Sequence, residues 1–247
     1  MRRPTVGGMP GRYAVAWSYL AAVSIAEVSY ALLPDHDRAA LLRWASTNVH
    51  NLQHDPVGCM IVSAFFPEGS AAAWPALIAL AMFGANRALG NWRTAAVCAA
   101  GHVIGTGVSE GILAFRVANG SLPTASRYII DVGPSYVVVA AIAAAILYGG
   151  WAGRTAAVLD LALLAFVGDI FSGLSKLDVS AVGHVTALAT GAAGASLAMA
   201  QLRRQRRTVR LSYAAPDTEA ETTPAAPAQA IPRRRAAERG AQRRPPA

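Results

Sequence analysis

The chain has 247 residues, of which 54% are apolar and only 15% are charged, and its mean hydropathy is +0.35. This composition is too apolar for a soluble domain, which must present a polar surface to water, so it indicates an integral membrane protein. The formal net charge is +8. Residues 203–247 contain eleven arginines against four acidic residues, a net of +7, so nearly all of the excess charge lies in one C-terminal segment.

Six apolar runs divide most of the chain. Each is close to the ~20 residues that a helix needs to cross the ~30 Å hydrocarbon core of a bilayer. The sequence therefore predicts an all-α, polytopic membrane domain over residues 13–202 with six transmembrane helices. The predicted spans are residues 13–33, 71–89, 95–117, 133–151, 156–174 and 179–202.

Arginine placement predicts the orientation of these spans. Arginines precede the first span, lie between spans 2 and 3 and between spans 4 and 5, and follow span 6. The opposite loops carry mainly acidic residues. Since basic residues favour the cytoplasmic side, both termini, including residues 1–12, are expected in the cytoplasm of a plasma-membrane protein. Spans 4 and 6 then both run inward.

The C-terminal segment, residues 203–247, is predicted to be a disordered cytoplasmic tail. It has almost no apolar side chains larger than alanine, so it cannot bury enough surface to fold. Its cluster of arginines at residues 203–210 directly follows the last span, where it can bind anionic lipid. Nucleic acid is not an expected partner.

The long first loop, residues 34–70, is predicted to be partly immersed in the membrane. Its apolar part, residues 57–66, is too short to span a bilayer. His50 and His54 have the i, i+4 spacing of metal ligands on a helix, but no third ligand is evident, which favours ordinary hydrogen bonds to backbone. No metal or cofactor is predicted. Cys59 and Cys98 fall at different depths, so a disulfide is not expected either.

The residues with the most chemical interest are Ser135 and His184. Each lies a few residues into an inward-running span, so both are expected roughly 5–8 Å below the outer face. A serine hydroxyl becomes a nucleophile when a base removes its proton, and a neutral histidine can serve at a depth where a carboxylate is costly. The alternative is structural, because a serine at a helix start is commonly a cap and a lone histidine commonly a satisfied polar group.

Small residues favour close approach of the helices around His184. Ala187 and Gly191 form a small-xxx-small face on the sixth span, a pattern that signals packing by itself. Other ionisable residues also fall within the predicted spans, and such groups either serve a function or hold the bundle together by hydrogen bonds. These residues are Glu27, His102, Glu110, Asp160 and Asp169.

The order of these features resembles the rhomboid family of intramembrane serine proteases, over roughly residues 12–202. The arginine- and alanine-rich composition is similar to that of divergent actinobacterial members. The resemblance implies a six-helix rhomboid-like bundle that carries the family's Gly-x-Ser motif at the start of the fourth span. The matching segments are Ser63-Ala64-Phe65-Phe66 before span 2, Phe83-Gly84 and Arg87-Ala88-Leu89-Gly90 at its inner end, Gly133-Pro134-Ser135 on span 4, and His184 with Gly191 on span 6.

The resemblance implies that Ser135 is the nucleophile and His184 the general base of a serine endopeptidase that cleaves membrane helices. Gly133 then belongs to the oxyanion and packing part of the site. Two departures favour an alternative, a catalytically inactive relative that binds membrane helices or lipids. The family's histidine and asparagine early in span 2, which help hold the oxyanion, are absent from residues 70–76. Tyr136 also stands where the family prefers a small residue.

Overall fold

The computed structural model describes residues 9–66 and 73–214, and every regular element within these residues is helical. Two short 3₁₀ helices, Thr124–Tyr128 and Leu174–Lys176, lie in the connections between α-helices. The α-helices are α1 (Met9–Arg12), α2 (Ala14–Ala31), α3 (Asp35–Ala45), α4 (Val49–His54), α5 (Pro56–Ser63), α6 (Trp74–Leu89), α7 (Asn91–Ala118), α8 (Ser135–Tyr148), α9 (Trp151–Phe166) and α10 (Val179–Ala214).

Each of the six predicted spans overlaps one of these helices, but their lengths differ widely. Within the described residues, three helical segments are long and apolar enough to cross a membrane, namely Ala14–Ala31, Asn91–Ala118 and Val179–Arg210. The apolar helix α8 has 14 residues, and at ~1.5 Å per residue it extends about 21 Å, less than the ~30 Å of a hydrocarbon core. The prediction of an all-helical chain is confirmed for the described residues, while the count of six spans stays a prediction.

The core of the bundle is built around α8. Its residues from Tyr136 to Ala145 are all buried, and α6, α7 and α9 pack against it. A helix that is apolar on every face is stable only where other helices cover it on all sides. The short, wholly apolar run after Ser135 is therefore the central element, and Ser135, which is half-buried, is its first residue.

The fifth predicted span is displaced in the structure. Helix α9 covers Trp151–Phe166, whereas the prediction was residues 156–174. After Phe166 the chain turns, with Asp169 at φ 51° and Gly173 at φ 77°. Aspartate and glycine are residues that adopt this left-handed conformation, so the helix cannot continue. Asp169 therefore lies in a loop, and its placement within a span was wrong.

The last helix continues beyond the predicted end of the sixth span at residue 202. Helix α10 extends to Ala214, so the arginine cluster at residues 203–210 is helical. The chain divides into two compact units between Gln205 and Arg206. Of the second unit, the structure describes only the end of α10. The predicted disorder of residues 215–247 lies outside the described residues.

The first loop contains α3, α4 and α5, and the starts of α4 and α5 are fixed by side-chain caps. Asn48 accepts a hydrogen bond from the backbone N–H of Asn51 at 2.9 Å. Asp55 does the same for Gly58 at 2.9 Å. Such caps satisfy backbone donors that a helix leaves unpaired at its start. Short capped helices allow this polar segment to hold a defined shape, and its immersion in the membrane stays a prediction.

A buried asparagine joins the start of α2 to α6. The side chain of Asn86 is 1% exposed. Its amide nitrogen donates to the carbonyl oxygen of Arg12 at 3.1 Å and to the side-chain oxygen of Asn91 at 3.0 Å. Its amide oxygen accepts from the backbone N–H of Ala16 at 3.2 Å. Asn86 thus hydrogen-bonds to a backbone carbonyl at the end of α1 and to a backbone N–H in the first turn of α2.

Replacing Asn86 by alanine is expected to destabilise the fold by about 2–4 kcal/mol, because three hydrogen bonds are lost and the backbone N–H of buried Ala16 on α2 is left unpaired. The apparent Tm of the detergent-purified protein measures this. Asn119→Ala, at an exposed position after α7, is the matched control and should change Tm little. Equal Tm values for the two variants would contradict the role of Asn86.

Candidate functional site

The turn before α8 presents Ser135 at the first position of that helix. Gly133 has φ 154°, a value that L side chains rarely adopt. Its backbone N–H donates to the carbonyl oxygen of Ser63 at 3.0 Å, which fixes the turn against the end of α5. Pro134 follows and fits the start of a helix, where its missing N–H costs nothing. The local backbone therefore requires glycine at position 133 and favours proline at position 134. The same turn presents the hydroxyl of Ser135 at the start of α8.

His184 is buried on α10, with 3% of its surface exposed. Its Nδ1 lies 3.1 Å from the carbonyl oxygen of Ile170 and 3.3 Å from Oγ of Ser180. A carbonyl oxygen can only accept, so in the neutral ring Nδ1 carries the proton and Nε2 carries the lone pair. Nε2 is buried and has no hydrogen-bond partner. A hydrogen bond at Nδ1 thus orients the imidazole ring, while Nε2 has no hydrogen-bond partner.

Ser135 and His184 are not hydrogen-bonded to each other in the structure, since Nε2 of His184 has no partner. Beside His184, α8 contacts α10 through Tyr136, whose ring lies edge-on to the imidazole with centroids 4.9 Å apart. A Cβ placed on Gly183 would come within 2.1 Å of the same phenol ring. Tyr136 therefore packs directly against α10, beside His184 and next to Ser135 in sequence.

The hydroxyl of Tyr136 is held at the outer end of the bundle, as defined by the predicted orientation. It donates to the carboxylate of Asp131 at 3.2 Å and lies 3.3 Å from the carbonyl oxygen of Val179. Asp131 also accepts from Oγ1 of Thr47 at 3.3 Å, which connects the first loop to this network. The tyrosine is consequently fixed at both its ring and its hydroxyl.

Replacing Tyr136 by phenylalanine keeps the ring against His184 but removes the donor to Asp131. We expect a loss of about 1–3 kcal/mol, because a buried network loses one partner. The measurement is the apparent Tm in detergent, with Tyr128→Phe as control, since Tyr128 is 58% exposed. An unchanged Tm for the Tyr136 variant would mean that the hydroxyl does not support the fold.

Close packing of α7, α8 and α10 brings these residues together. A Cβ on Gly101 of α7 would lie 2.4 Å from Cβ of Ala140 on α8. A Cβ on Gly191 of α10 would lie 2.5 Å from the carbonyl oxygen of the same alanine. Ala187 on α10 is fully buried. The small-residue face predicted from Ala187 and Gly191 does pack closely against neighbouring helices, as small residues allow.

A second histidine, His102 on α7, lies near the site, and its contacts could not be predicted from spacing. Its Nε2 is 2.9 Å from the carbonyl oxygen of Met60 and 3.2 Å from Oγ of Ser63. Its ring centroid is 6.2 Å from that of Tyr136. Ser63 therefore joins His102 to the turn at Gly133. In the sequence, Ser63 stands out only as part of the segment that resembles rhomboids, because contacts between α5 and α7 leave no local signal.

Three buried acidic residues have side-chain oxygens without a hydrogen-bond partner in the described part of the chain: Glu27, Glu110 and Asp160. Glu110 is the one near the candidate site, where its carboxyl group interacts electrostatically with that of Asp131. Asp160 is fully buried on α9, and Glu27 lies on α2. Unpaired carboxyl groups are costly in an apolar bundle, so each marks a place where a function or an ordered water molecule is expected.

The oxyanion donors expected on span 2 are absent from the sequence. The first residues of α6 are Trp74 and Pro75, which carry neither an imidazole nor a carboxamide. Residues 71 and 72 are alanines that lie outside the described residues. The backbone N–H groups in the first turn of α8, at Ser135 and Tyr136, have no intrahelical acceptor and are the remaining donors at the site.

In the first loop, the imidazole of His54 hydrogen-bonds to backbone, and that of His50 contacts the rings of His54 and Tyr128. Nδ1 of His54 lies 2.7 Å from the carbonyl oxygen of His50, and the two rings are 4.3 Å apart. In the described residues, no group of three or more histidine, cysteine, aspartate or glutamate side chains is arranged to hold a metal ion. Cys59 and Cys98 are free and buried.

Long apolar helices around a buried polar site define this protein as a helical membrane protein. A comparison with protein families matches residues 6–204 to the rhomboid-like protein family, and the chain belongs to that family. The resemblance to rhomboids drawn from the sequence is thereby confirmed. Comparisons with curated proteins and with solved structures gave no significant match.

Proposed function

We propose that this rhomboid-like protein is a serine endopeptidase that cleaves membrane helices through Ser135 and His184. The observation that carries the proposal is the state of His184, whose Nδ1 donates to a carbonyl while its buried Nε2 has no partner. A buried, unpaired imidazole nitrogen is costly, so its presence on the helix that packs beside Tyr136 supports a function for this ring. The tautomer, with the lone pair on Nε2, is the one that a general base requires.

In the proposed reaction, Oγ of Ser135 attacks the carbonyl carbon of a peptide bond while Nε2 of His184 takes its proton. The same nitrogen then gives that proton to the departing amine of the C-terminal fragment, which leaves an ester between Oγ of Ser135 and the carbonyl carbon of the N-terminal fragment. Water, deprotonated by His184, cleaves the ester and releases the carboxylic acid. Each proton removed by the histidine is thus returned within the cycle.

The oxyanion of the tetrahedral intermediate would be held by backbone N–H groups at the start of α8. These groups point along the positive end of the helix dipole, which favours negative charge. Gly133 supports this arrangement because its φ of 154° sets the turn that precedes Ser135. Since a single side-chain donor is typically worth about 10²–10³ in rate, a protease that lacks two such donors is expected to be slow.

Labelling with a fluorophosphonate probe tests the proposal directly. Purified wild-type protein should form one covalent adduct, mapped by mass spectrometry to Ser135. Ser135→Ala should not be labelled, whereas Ser121→Ala, at an exposed loop serine, should react as wild type. Folded wild-type protein that forms no adduct at Ser135 would overturn the assignment.

A second function, binding of membrane helices without cleavage, is favoured by the position of Tyr136. Its ring packs on His184 and Gly183, and Ser135 would need this ring to move before it could reach Nε2. In that case the absence of a fluorophosphonate adduct would be accompanied by co-purification of the protein with intact membrane-protein helices.

The proposal includes six membrane spans in the plasma membrane, with both termini in the cytoplasm. It is supported by the overlap of each apolar run with a helix and by the distribution of arginines. Anionic lipid is the proposed partner of the basic cluster at residues 203–210, which forms part of α10. Membrane helices are the proposed substrates or clients.

A further inference from the structure

A cleft of about 210 Å³ lies between the first part of α7 and the middle of α10. Its volume is below the ~300–1,000 Å³ of pockets that hold a whole small molecule, so it suits one segment of a longer molecule. Ser135 and His184 do not line it. The residues that define it include Trp92, Arg93 and Ala96 on α7, and Gly194, Leu197 and Gln201 on α10.

One part of the cleft is apolar and open to the surroundings of the bundle. A Cβ placed on Gly194 would lie 3.3 Å from Cγ2 of Val97, so a larger residue there would narrow the space between the helices. Ala96 is exposed, and Leu197 is 67% exposed. Both helices are long and apolar enough to cross a membrane. Exposed apolar side chains on such helices contact lipid, so acyl chains of the bilayer can enter the cleft.

The other end of the cleft carries a guanidinium whose position is fixed. Nη2 of Arg93 donates to Oε1 of Gln205 on α10 at 3.2 Å. Gln205 lies one helical turn beyond Gln201, which lines the cleft. The guanidinium therefore bridges α7 and α10 at this end of the cleft. A guanidinium has five N–H donors, and the hydrogen bond to Gln205 uses one of them.

Neither helix supplies a carboxylate near Arg93. Residues 69–109 and 179–216 contain no aspartate or glutamate. The nearest acidic residue on α7 is Glu110, which is about 25 Å further along the helix. The first backbone N–H groups of α7 have no intrahelical acceptor and add the positive end of the helix dipole. The charge of Arg93 thus favours an anion that comes from outside these two helices.

The position of Trp92 indicates the depth of this end of the cleft. Trp92 is the second residue of α7, lines the cleft and is 80% exposed. Tryptophan at the end of a spanning helix lies at the level where lipid headgroups meet the hydrocarbon core. Arg93, the next residue, is therefore level with the headgroups, and the apolar part of the cleft extends into the hydrocarbon.

We propose that the cleft binds an anionic phospholipid, with the phosphodiester at Arg93 and one acyl chain between α7 and α10. Arginine binds phosphate oxygens through parallel charge-assisted hydrogen bonds. Phosphatidylcholine also carries a cation, which basic residues repel, so it fits this end less well. The lining residues lie outside the arginine cluster at residues 203–210. The site goes beyond the proposed peptidase activity and does not depend on it.

Photocrosslinking in phosphatidylcholine nanodiscs tests the site. The probe is phosphatidylglycerol with a diazirine in one acyl chain, the matched probe has the same chains and a choline headgroup, and labelled positions are mapped by mass spectrometry. We expect the glycerol probe to label Ala96 and Leu197 about 10-fold more than the choline probe, the size expected for one hydrogen bond to a charged group. Equal labelling of these positions by the two probes would overturn the proposal.

Variants then separate this cleft from a general attraction of anionic lipid to the basic end of the bundle. Arg93→Gln should reduce labelling by the glycerol probe to the level of the choline probe. The matched control is Arg87→Gln, which should change labelling little, because Arg87 is an exposed arginine at the end of α6 that does not line the cleft. Ala96→Phe narrows the cleft but keeps the guanidinium, and should lose labelling at Leu197. Equal losses in the two arginine variants, or unchanged labelling of the Ala96 variant, would exclude this site.

Competition distinguishes a lipid from a free phosphodiester. Unlabelled phosphatidylglycerol should displace the glycerol probe from Leu197. Glycerophosphoglycerol, which has the same headgroup and no acyl chains, should not displace it at the same concentration, because it leaves the apolar part of the cleft empty. Equal displacement by the two competitors would mean that the acyl chain contributes nothing, and would overturn the assignment of a lipid.

Discussion

Replacing His184 by alanine is expected to reduce the rate of serine acylation at least about 10⁴-fold, the scale measured when the base of a serine hydrolase is removed or misoriented. The physical reason is that a serine hydroxyl at a low-dielectric helix start keeps its proton unless a base removes it, and His184 is the base in the proposed dyad. The measurement is the second-order rate of fluorophosphonate labelling at Ser135.

The matched control for this variant is Ser180→Ala. Ser180 contacts Nδ1 of the same imidazole at 3.3 Å, but the carbonyl oxygen of Ile170 holds that nitrogen at 3.1 Å without it. The labelling rate should therefore change far less than in His184→Ala. If His184→Ala were labelled at the wild-type rate, Ser135 would react without this base, and the proposed dyad would be wrong.

Replacing Gly191 by alanine is expected to produce a large loss of stability from a single methyl group. The new Cβ would lie 2.5 Å from the carbonyl oxygen and 2.6 Å from Cα of Ala140, so α8 and α10 must separate. Overpacking of this kind typically costs about 1–3 kcal/mol and here involves backbone atoms that cannot rotate away. Thermal unfolding of the purified protein should show a clear fall in apparent Tm.

Gly107 provides the matched control, because it also lies in a long helix, α7, and a Cβ there would meet no atom within 4 Å. Gly107→Ala should be neutral or stabilising by up to about 1 kcal/mol, since alanine favours the helix over glycine. A Gly191 variant as stable as the Gly107 variant would show that α8 and α10 are not in close contact, and would remove the basis for bringing His184 near Ser135.

The two residues of the candidate dyad show which features a sequence predicts and which it does not. The sequence correctly placed Ser135 at the start of an apolar helix and His184 near the start of another, because runs of apolar residues define helices. It also predicted the packing role of Gly191 from its spacing to Ala187. It could not predict the ring contact between Tyr136 and His184, which depends on how two helices rotate about their axes.

The boundaries of α9, the helix of the fifth predicted span, show a second feature that the sequence did not predict. The hydropathy of residues 156–174 is continuous, so a window of apolar residues favoured a span there. The backbone instead leaves the helix after Phe166, and Asp169 adopts φ 51°. Hydropathy records burial in lipid or protein, but it does not record the backbone conformation, which is set by contacts with the rest of the bundle.

By itself, the sequence determined that this is a helical membrane protein, because composition and apolar run length are local properties of the chain, and the order of its motifs carried the resemblance to the rhomboid family. Only the tertiary structure decided which polar atoms are paired. Nδ1 of His184 meets Ile170, Nε2 of His102 meets Met60, and one nitrogen of each ring stays buried without a partner. These pairings join residues that are distant in sequence, and hydrogen bonds of that kind exist only after the helices have packed.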